Sequence, residues 1–282
     1  MVISKVAVIG AGTMGHGIAH VSAQAGFEVV LYDVTIDAAR AGLAKLEKNL
    51  NVGVEKGKVT AADRDAALGR ISATADLKDT ASAQLIIEAI PEKLTLKQEL
   101  FRTLSSLTSP ETILASNTSS LSLTEIASAV TNPSRVVGLH FFNPVHLMKL
   151  LEVVRAYQTS DATLEAVRAY GAAIKKELIT VKDSPGFASS RLGVATGLEA
   201  IRMLEEGVAS AADIDRAMEL GYGHPMGPLK LGDLVGLDVR LAIAEYLYAE
   251  TGSATFRPPQ LLKKMVRAGK LGKKSGEGFY TY

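Results

Sequence analysis

Two residues near the middle of the chain, His140 and Glu152, are of types that together can perform acid–base chemistry. His140 follows an apolar run and precedes two phenylalanines, so its imidazole is expected to be largely enclosed. Glu152 lies inside the apolar run 150–154, where an unpaired buried carboxylate would be costly. If the intervening loop folds one strand back beside the other, the carboxylate can hold the imidazole in one tautomer as a base. The alternative is a satisfied core histidine without any chemistry.

The other chemistry-bearing residue types narrow the reaction. The chain has no cysteine, which excludes thiol catalysis, a zinc–thiolate site and a disulfide scaffold. No His, Asp and Glu cluster has metal-ligand spacing, and no G-x-S-x-G elbow is present, so we expect neither a metal nor acyl chemistry. His16 and His20 are expected to pack or hydrogen-bond near the first glycine loop, and His146 is expected to be exposed. A histidine base suits removal of a hydroxyl proton as a carbonyl forms.

A glycine motif of the form G-x-G-x-x-G follows the first apolar strand and opens a helix at residues 10–15. This context predicts a dinucleotide site, because the glycines allow a tight turn, a close approach to pyrophosphate and close helix packing. Asp33 ends the second predicted strand, where a carboxylate accepts hydrogen bonds from ribose hydroxyls and disfavours a 2′-phosphate, so NAD is expected. The alternative is a glycine turn with a helix-capping aspartate. The expected cofactor contacts in the loop are Gly10, Ala11, Gly12, Thr13, Met14 and Gly15.

Composition excludes several classes of protein. The chain has 282 residues, with 31 Lys and Arg against 30 Asp and Glu, so its net charge of +1 offers no basic face for nucleic acid. No apolar run approaches the ~18 residues of a membrane span. The N-terminal residues have no basic leader and are interpreted as a first strand, so a cytoplasmic location is expected.

The pattern of elements predicts an α/β fold with a Rossmann-type, mostly parallel sheet, followed by a helical domain. Short apolar strands alternate with helical periodicity in the first half, which builds a parallel sheet covered by helices. Only helical periodicity follows Arg191. We therefore expect an NAD-binding domain over 1–184 and a helical domain over 185–282. The strands are predicted at 5–9, 27–32, 85–88, 113–116, 136–140, 150–154 and 179–181, and the late helices at 192–206, 211–220, 231–251 and 260–267.

Polar residues follow two neighbouring predicted strands. The segment 88–92 ends one strand, and the segment 116–120 ends the next. Because ligands bind at the carboxyl edge of open α/β sheets, these residues are expected to converge on one crevice. The alternative is helix capping by Thr118, Ser119 or Ser120. Considered alone, Lys97 is expected to be a solvated surface lysine.

Four motifs together resemble the L-3-hydroxyacyl-CoA dehydrogenase family, and at this length its bacterial 3-hydroxybutyryl-CoA dehydrogenases. They are the glycine loop, the SNTSS segment at 116–120, the GLHFFNP segment at 138–144 and the GKKSGEGFY segment at 272–280. The resemblance covers essentially the whole chain. It implies a Rossmann-type domain, a helical domain that forms homodimers, and NAD-dependent interconversion of L-3-hydroxyacyl-CoA and 3-ketoacyl-CoA in fatty acid metabolism.

The resemblance also implies roles for individual residues. His140 is the catalytic base, Glu152 its partner, Ser119 a hydrogen-bond donor to the substrate oxygen, and Asn117 a contact of the nicotinamide end. Further positions match residues that line the cofactor site in the family, namely Glu92, Lys97, Asn143 and Lys274.

Two positions concern the acyl-CoA substrate. Lys56 matches a lysine that meets the CoA phosphates, and residues 40–58 carry five Lys and Arg against two Glu, which would attract an anion. A solvated helix face is the alternative. The family most often has Asn before the arginine at 191, whereas this chain has Ser190. Its hydroxyl can still hydrogen-bond the substrate, although with a shorter reach.

Two other functions are weighed against this one. A dehydrogenase of free 3-hydroxy acids would share the Rossmann half but needs a catalytic lysine after the sheet, for which Lys175 and Lys176 fit poorly. A nucleotide-binding protein without turnover is disfavoured because both His140 and Glu152 are present.

Overall fold

The computed structural model describes residues 2–282, which form two compact units, one ending at Asp183 and the other beginning at Ser184. Met1, which the expected first domain includes, lies outside the described residues. None of the described helices is both long and apolar enough to cross a membrane.

The first unit is a single eight-stranded sheet with helices. Its strands are β1 (Lys5–Ile9), β2 (Glu28–Tyr32), β3 (Ile71–Thr74), β4 (Leu85–Glu88), β5 (Ile113–Ser116), β6 (Val136–Phe141), β7 (Leu150–Arg155) and β8 (Glu177–Lys182). Its helices are α1 (Gly15–Gln24), α2 (Ile36–Glu55), α3 (Ala61–Leu68), α4 (Leu94–Leu107), α5 (Leu123–Ala127) and α6 (Asp161–Ala173).

The strand order is β3-β2-β1-β4-β5-β6-β7-β8, and every neighbouring pair is parallel except β6 and β7. The order reverses between β1 and β4, the position at which open α/β sheets bind ligands. The antiparallel β6–β7 pair places His140 directly opposite Glu152. Strands β4 and β5 are fully buried, as the three apolar residues that begin each strand indicate.

Side-chain caps mark where several helices begin. The hydroxyls of Thr35, Thr60, Ser122, Ser160 and Ser210 each accept a hydrogen bond from a backbone N–H in the first turn of the helix that follows. Such caps satisfy amide groups that have no partner within the helix. They fix the residues at which helices begin, both before and after residue 184.

The second unit is helical. It contains α7 (Ser189–Glu205), α8 (Ala211–Tyr222), α9 (Pro228–Val235), α10 (Leu237–Thr251) and α11 (Gln260–Arg267) around its own apolar core. The C-terminal segment is attached through Asp233, which is fully buried and accepts hydrogen bonds from the backbone N–H groups of Phe279 and Tyr280. Tyr280 also donates its hydroxyl hydrogen to Asp215 at 2.7 Å. The end of the GKKSGEGFY motif is therefore bound to the helices of this unit.

The α/β class, the mostly parallel sheet and the helical C-terminal part are confirmed, while several element predictions are wrong. One long helix over 231–251 is instead two, because Gly236 adopts a φ of +105° that breaks the helix. Strand β3 was not predicted, since it is a four-residue edge strand without a fully buried residue.

We expect Gly15→Ala to destabilise the first unit strongly, because a Cβ at this position would overlap the carbonyl oxygen of Gly10. Gly12→Ala is the matched control, since a Cβ there meets nothing within 4 Å. Thermal unfolding without ligands checks this prediction. Equal melting temperatures for the two variants would contradict the close packing of α1 on the glycine turn.

Candidate active site

His140 and Glu152 form a buried pair at the centre of the antiparallel strands. The imidazole Nδ1 lies 2.6 Å from Glu152 Oε2, and the two residues are 6% and 0% exposed. Residues directly opposite each other on antiparallel strands share a face, so the strand register itself creates this contact. With Glu152 ionised, Nδ1 carries the proton and the lone pair lies on Nε2. The arrangement can therefore accept a proton at Nε2 and return it.

Lys97 is not a surface lysine, so the prediction from the sequence alone is wrong. Its side chain is 1% exposed, and Nζ lies 2.6 Å from Glu88 Oε1 and 3.2 Å from Glu92 Oε2. Glu88 also accepts hydrogen bonds from Ser116 Oγ and the Ile90 N–H. Burial raises the pKa of Glu88, and the charge of Lys97 opposes that shift. The ammonium thus compensates a carboxylate that the end of β4 places inside the protein.

The segment after β5 is held by Glu92 and does not cap the next helix. Glu92 Oε1 accepts hydrogen bonds from Thr118 Oγ1, from the Ser119 N–H at 2.9 Å and from Ser119 Oγ at 3.3 Å. The cap of α5 is Ser122, so capping by Thr118, Ser119 or Ser120 is ruled out for this helix. The ends of β4 and β5 are therefore tied together, as expected at the carboxyl edge of a parallel sheet.

Asn117 links this segment to the strand that carries His140. Its Oδ1 accepts a hydrogen bond from the Phe141 N–H at 2.9 Å, and its own N–H donates to the Glu88 carbonyl at 2.8 Å. The Asn117 NH₂ group can in addition donate hydrogen bonds. Three neighbouring strand ends are thereby brought into one hydrogen-bonded unit.

The glycine loop fits a dinucleotide. Gly10 adopts a φ of +97°, and a Cβ at Gly12 would meet nothing within 4 Å, so the backbone there is open to a phosphate group. The helix α1 begins at Gly15 and has no acidic residue in its first turn, which leaves its N-terminus attractive to anions. Asp33 Oδ2 accepts a hydrogen bond from the Ala11 N–H at 2.8 Å, which holds the loop and places the carboxylate beside it.

Four further site residues are predicted from the sequence, two in each unit. Asn143 is exposed in the loop between β6 and β7, and Lys56 is exposed at the C-terminus of α2. In the second unit, Lys274 pairs with Asp238 at 2.6 Å, and Ser190 is half-buried in the first turn of α7.

Sequence reasoning missed the role of Glu88 and wrongly expected His146 to be exposed. A signal for Glu88 existed, since it is a carboxylate at the end of a wholly apolar strand and needs a compensating cation. His146 is only half-buried, but it is stacked on the buried ring of His20 at 5.2 Å. His16 Nδ1 lies 2.7 Å from the Gly12 carbonyl oxygen. Among residues 2–282, no group of three or more His, Cys, Asp or Glu side chains could hold a metal ion.

Comparison with known families identifies the chain. The family model described as 3-hydroxyacyl-CoA dehydrogenase, NAD binding domain, matches residues 5–184, and the model for the C-terminal domain of that family matches residues 186–282. The chain belongs to the 3-hydroxyacyl-CoA dehydrogenase family. It is an NAD-dependent oxidoreductase of 3-hydroxyacyl-CoA, so the predicted family, enzyme class and cofactor are confirmed. Bound NAD supplies the acceptor for the hydrogen that leaves the substrate carbon.

Individual relatives match over the full length. A probable 3-hydroxybutyryl-CoA dehydrogenase of Bacillus subtilis is 48% identical over 282 residues, covering 100% of this chain and 98% of the relative. Two solved structures superpose with a TM-score of 0.97. FadB2 of M. tuberculosis is 44% identical, covering 100% of both chains, and (S)-3-hydroxybutyryl-CoA dehydrogenase PaaH1 from Ralstonia eutropha is 42% identical, covering 99% of both.

We expect Lys97→Met to destabilise the protein by about 3–5 kcal/mol, because it leaves the Glu88 carboxylate buried without a counter-charge. The matched control is the double variant Glu88→Gln/Lys97→Met, which removes both charges and should recover part of the loss. Urea unfolding at neutral pH measures both. Additive losses in the double variant would show that the two side chains do not depend on each other.

Proposed function

We propose that the chain interconverts L-3-hydroxybutyryl-CoA and acetoacetyl-CoA with NAD(H), using His140 as the acid–base group and Glu152 to orient it. The observation that carries this proposal is the 2.6 Å contact between His140 Nδ1 and Glu152 Oε2 inside the protein. The four-carbon substrate is supported by the names of the full-length relatives of Bacillus subtilis and Ralstonia eutropha.

In the oxidation, the 3-hydroxyl group gives its proton to Nε2 of His140 as the carbonyl forms. The imidazolium that results is stabilised by Glu152, whose carboxylate remains ionised and accepts the hydrogen bond from Nδ1–H. Because Glu152 is fully buried, the interaction is screened little by water. In the reduction the same proton returns from Nε2 to the substrate oxygen.

We further propose that Ser119 donates a hydrogen bond to the substrate oxygen and that Asn117 contacts the nicotinamide end of the cofactor. The hydrogen bond from the Ser119 hydroxyl to Glu92 Oε1 is long, at 3.3 Å. The hydroxyl can therefore give up this bond and donate to the substrate oxygen instead. Asn117 is held by the hydrogen bond from the Phe141 N–H to Oδ1, and its NH₂ group can donate to the cofactor. The glycine loop, Asp33, Glu92, Lys97, Asn143 and Lys274 complete the proposed cofactor site.

The substrate end is assigned to Lys56, Ser190 and Ser119. Lys56 is exposed in a locally basic segment, as a residue meeting phosphates would be. Residues 1–184 then form the NAD-binding domain and residues 185–282 the substrate and dimerisation domain. A homodimer through the helical domain and a cytoplasmic location both stay predictions.

The substrate assignment is tested by comparing acetoacetyl-CoA with free acetoacetate, each with NADH. We expect efficient turnover of the CoA ester alone, because the positive charge around Lys56 attracts the CoA phosphates, which free acetoacetate lacks. Absorbance loss of NADH measures both reactions. Comparable kcat/KM for the free acid would contradict the proposed substrate class.

We expect His140→Ala to lower kcat by roughly 10²–10⁴-fold, the range for loss of a general acid–base group, with NADH affinity nearly unchanged. His224→Ala, which removes an exposed histidine, is the control and should keep wild-type kcat. Steady-state kinetics and NADH fluorescence titration provide the two readouts. An unchanged kcat in His140→Ala would remove this residue from the mechanism.

Cofactor choice is expected to depend on Asp33. Replacement by Asn removes the negative charge that repels a 2′-phosphate, while its side-chain oxygen can still accept the Ala11 N–H. Asp33→Asn should therefore raise kcat/KM for NADPH relative to NADH without unfolding the loop. The measurement is the ratio of kcat/KM for NADPH to kcat/KM for NADH, with acetoacetyl-CoA as the substrate. A wild type that already prefers NADPH would refute the assignment.

A further inference from the structure

An open pocket of about 630 Å³ lies within the first unit, and none of the residues proposed above for catalysis or NAD binding lines it. Its walls are the end of α1, the α2–α3 connection with α3, the residues 146–149 before β7, and the residues 173–176 that follow α6. A volume of this size is typical of a site for a small organic ligand.

The charged residues that line the pocket are mostly cations. Five cations line it against a single carboxylate, that of Asp63, which leaves an excess of four positive charges. None of these cations forms an ion pair with any carboxylate among residues 2–282. The lining cations are Lys58, Arg70, Lys149, Lys175 and Lys176.

Lys176 is the most constrained of these cations. It is half-buried, and Nζ donates hydrogen bonds to the carbonyl oxygens of Val145 at 2.5 Å and Met148 at 2.6 Å. Burial lowers the pKa of Lys176. An anion in the pocket would supply the missing counter-charge.

Lys175 occupies a position that favours glycine. Its φ of +58° lies in the left-handed region, where a side chain with a Cβ is strained. Glycine is the usual residue just after a helix. The chain thus holds an ammonium group at the pocket in spite of an unfavourable backbone conformation.

The same pocket also offers an apolar surface. Val21 of α1, Ala25 just after it, Val59, Leu147 and Ile174 contribute to its walls beside the cations. His146 adds a ring that is already stacked on His20. A ligand that satisfies both parts carries phosphate at one end and a flat or apolar group at the other.

We propose that this pocket binds a small nucleoside phosphate at a site separate from the catalytic histidine and the dinucleotide loop. The phosphate contacts Lys149, Lys175 and Lys176, and the nucleoside packs on the apolar wall beside His146. The occupant touches the connection between β6 and β7, whose strands carry His140 and Glu152. Binding does not depend on the catalytic proposal, since no catalytic group lines the pocket.

The test is equilibrium binding of a fluorescent ADP, N-methylanthraniloyl-ADP, to the full chain saturated with NAD so that the dinucleotide site is filled. We expect saturable binding of one probe per chain that weakens as salt is raised. Lys149→Ala/Lys175→Ala should reduce the affinity about tenfold or more, because two charge-assisted contacts are lost. Lys264→Ala/Arg267→Ala removes two exposed cations of α11 instead and should bind like the wild type.

Three results would overturn the proposal. They are an absence of binding to the NAD-saturated wild type, an equal loss in both double variants, and full competition by acetoacetyl-CoA combined with a raised KM for it in Lys149→Ala/Lys175→Ala. The last result would mean that the pocket receives the nucleotide end of the substrate itself. His140→Gln should bind the probe normally even if it is inactive, which separates failure here from failure of the catalytic proposal.

Discussion

The reversal of strand direction between β6 and β7 is the constraint on which the candidate active site depends. All other neighbouring strands of the eight-stranded sheet are parallel, and the β6–β7 pair places His140 directly opposite Glu152 in antiparallel register. A carboxylate with no exposed surface needs a hydrogen-bonded partner, and His140 Nδ1 supplies it at 2.6 Å. The same contact that makes burial of Glu152 tolerable also fixes the tautomer of the histidine. This contact therefore contributes to both stability and chemistry.

A second buried charge organises the neighbouring strand ends. Lys97 bridges Glu88 and Glu92, and Glu92 in turn holds the backbone and hydroxyl of Ser119. Because the pair of Glu88 and Lys97 is almost completely enclosed, moving either group would leave an uncompensated charge in a medium of low polarity. The segment that carries Ser119 is consequently positioned by electrostatics and hydrogen bonds, and it does not rely on helix capping.

The glycine loop shows how one side chain serves two purposes. Asp33 accepts the Ala11 N–H and so braces the turn, and its charge is the one proposed to favour NAD over NADP. In the second unit, Asp215 and Asp233 likewise hold irregular chain. They accept hydrogen bonds from backbone N–H groups and a tyrosine hydroxyl of the C-terminal segment. In both units, carboxylates determine the path of irregular chain because they accept several hydrogen bonds at once.

The sequence by itself determined the α/β class, the helical C-terminal part, the glycine turn and the need of Glu152 for a partner. Those features follow from local periodicity, glycine geometry and the cost of burying charge, which are properties of short segments. Only the tertiary structure decided that Lys97 is buried, that Glu92 and not a helix terminus engages Ser119, and that Gly236 divides one helical pattern into two. Each of these depends on groups distant in the chain or on a backbone angle. A solvated lysine and a buried lysine cannot be distinguished in the sequence until the positions of the opposing carboxylates are known.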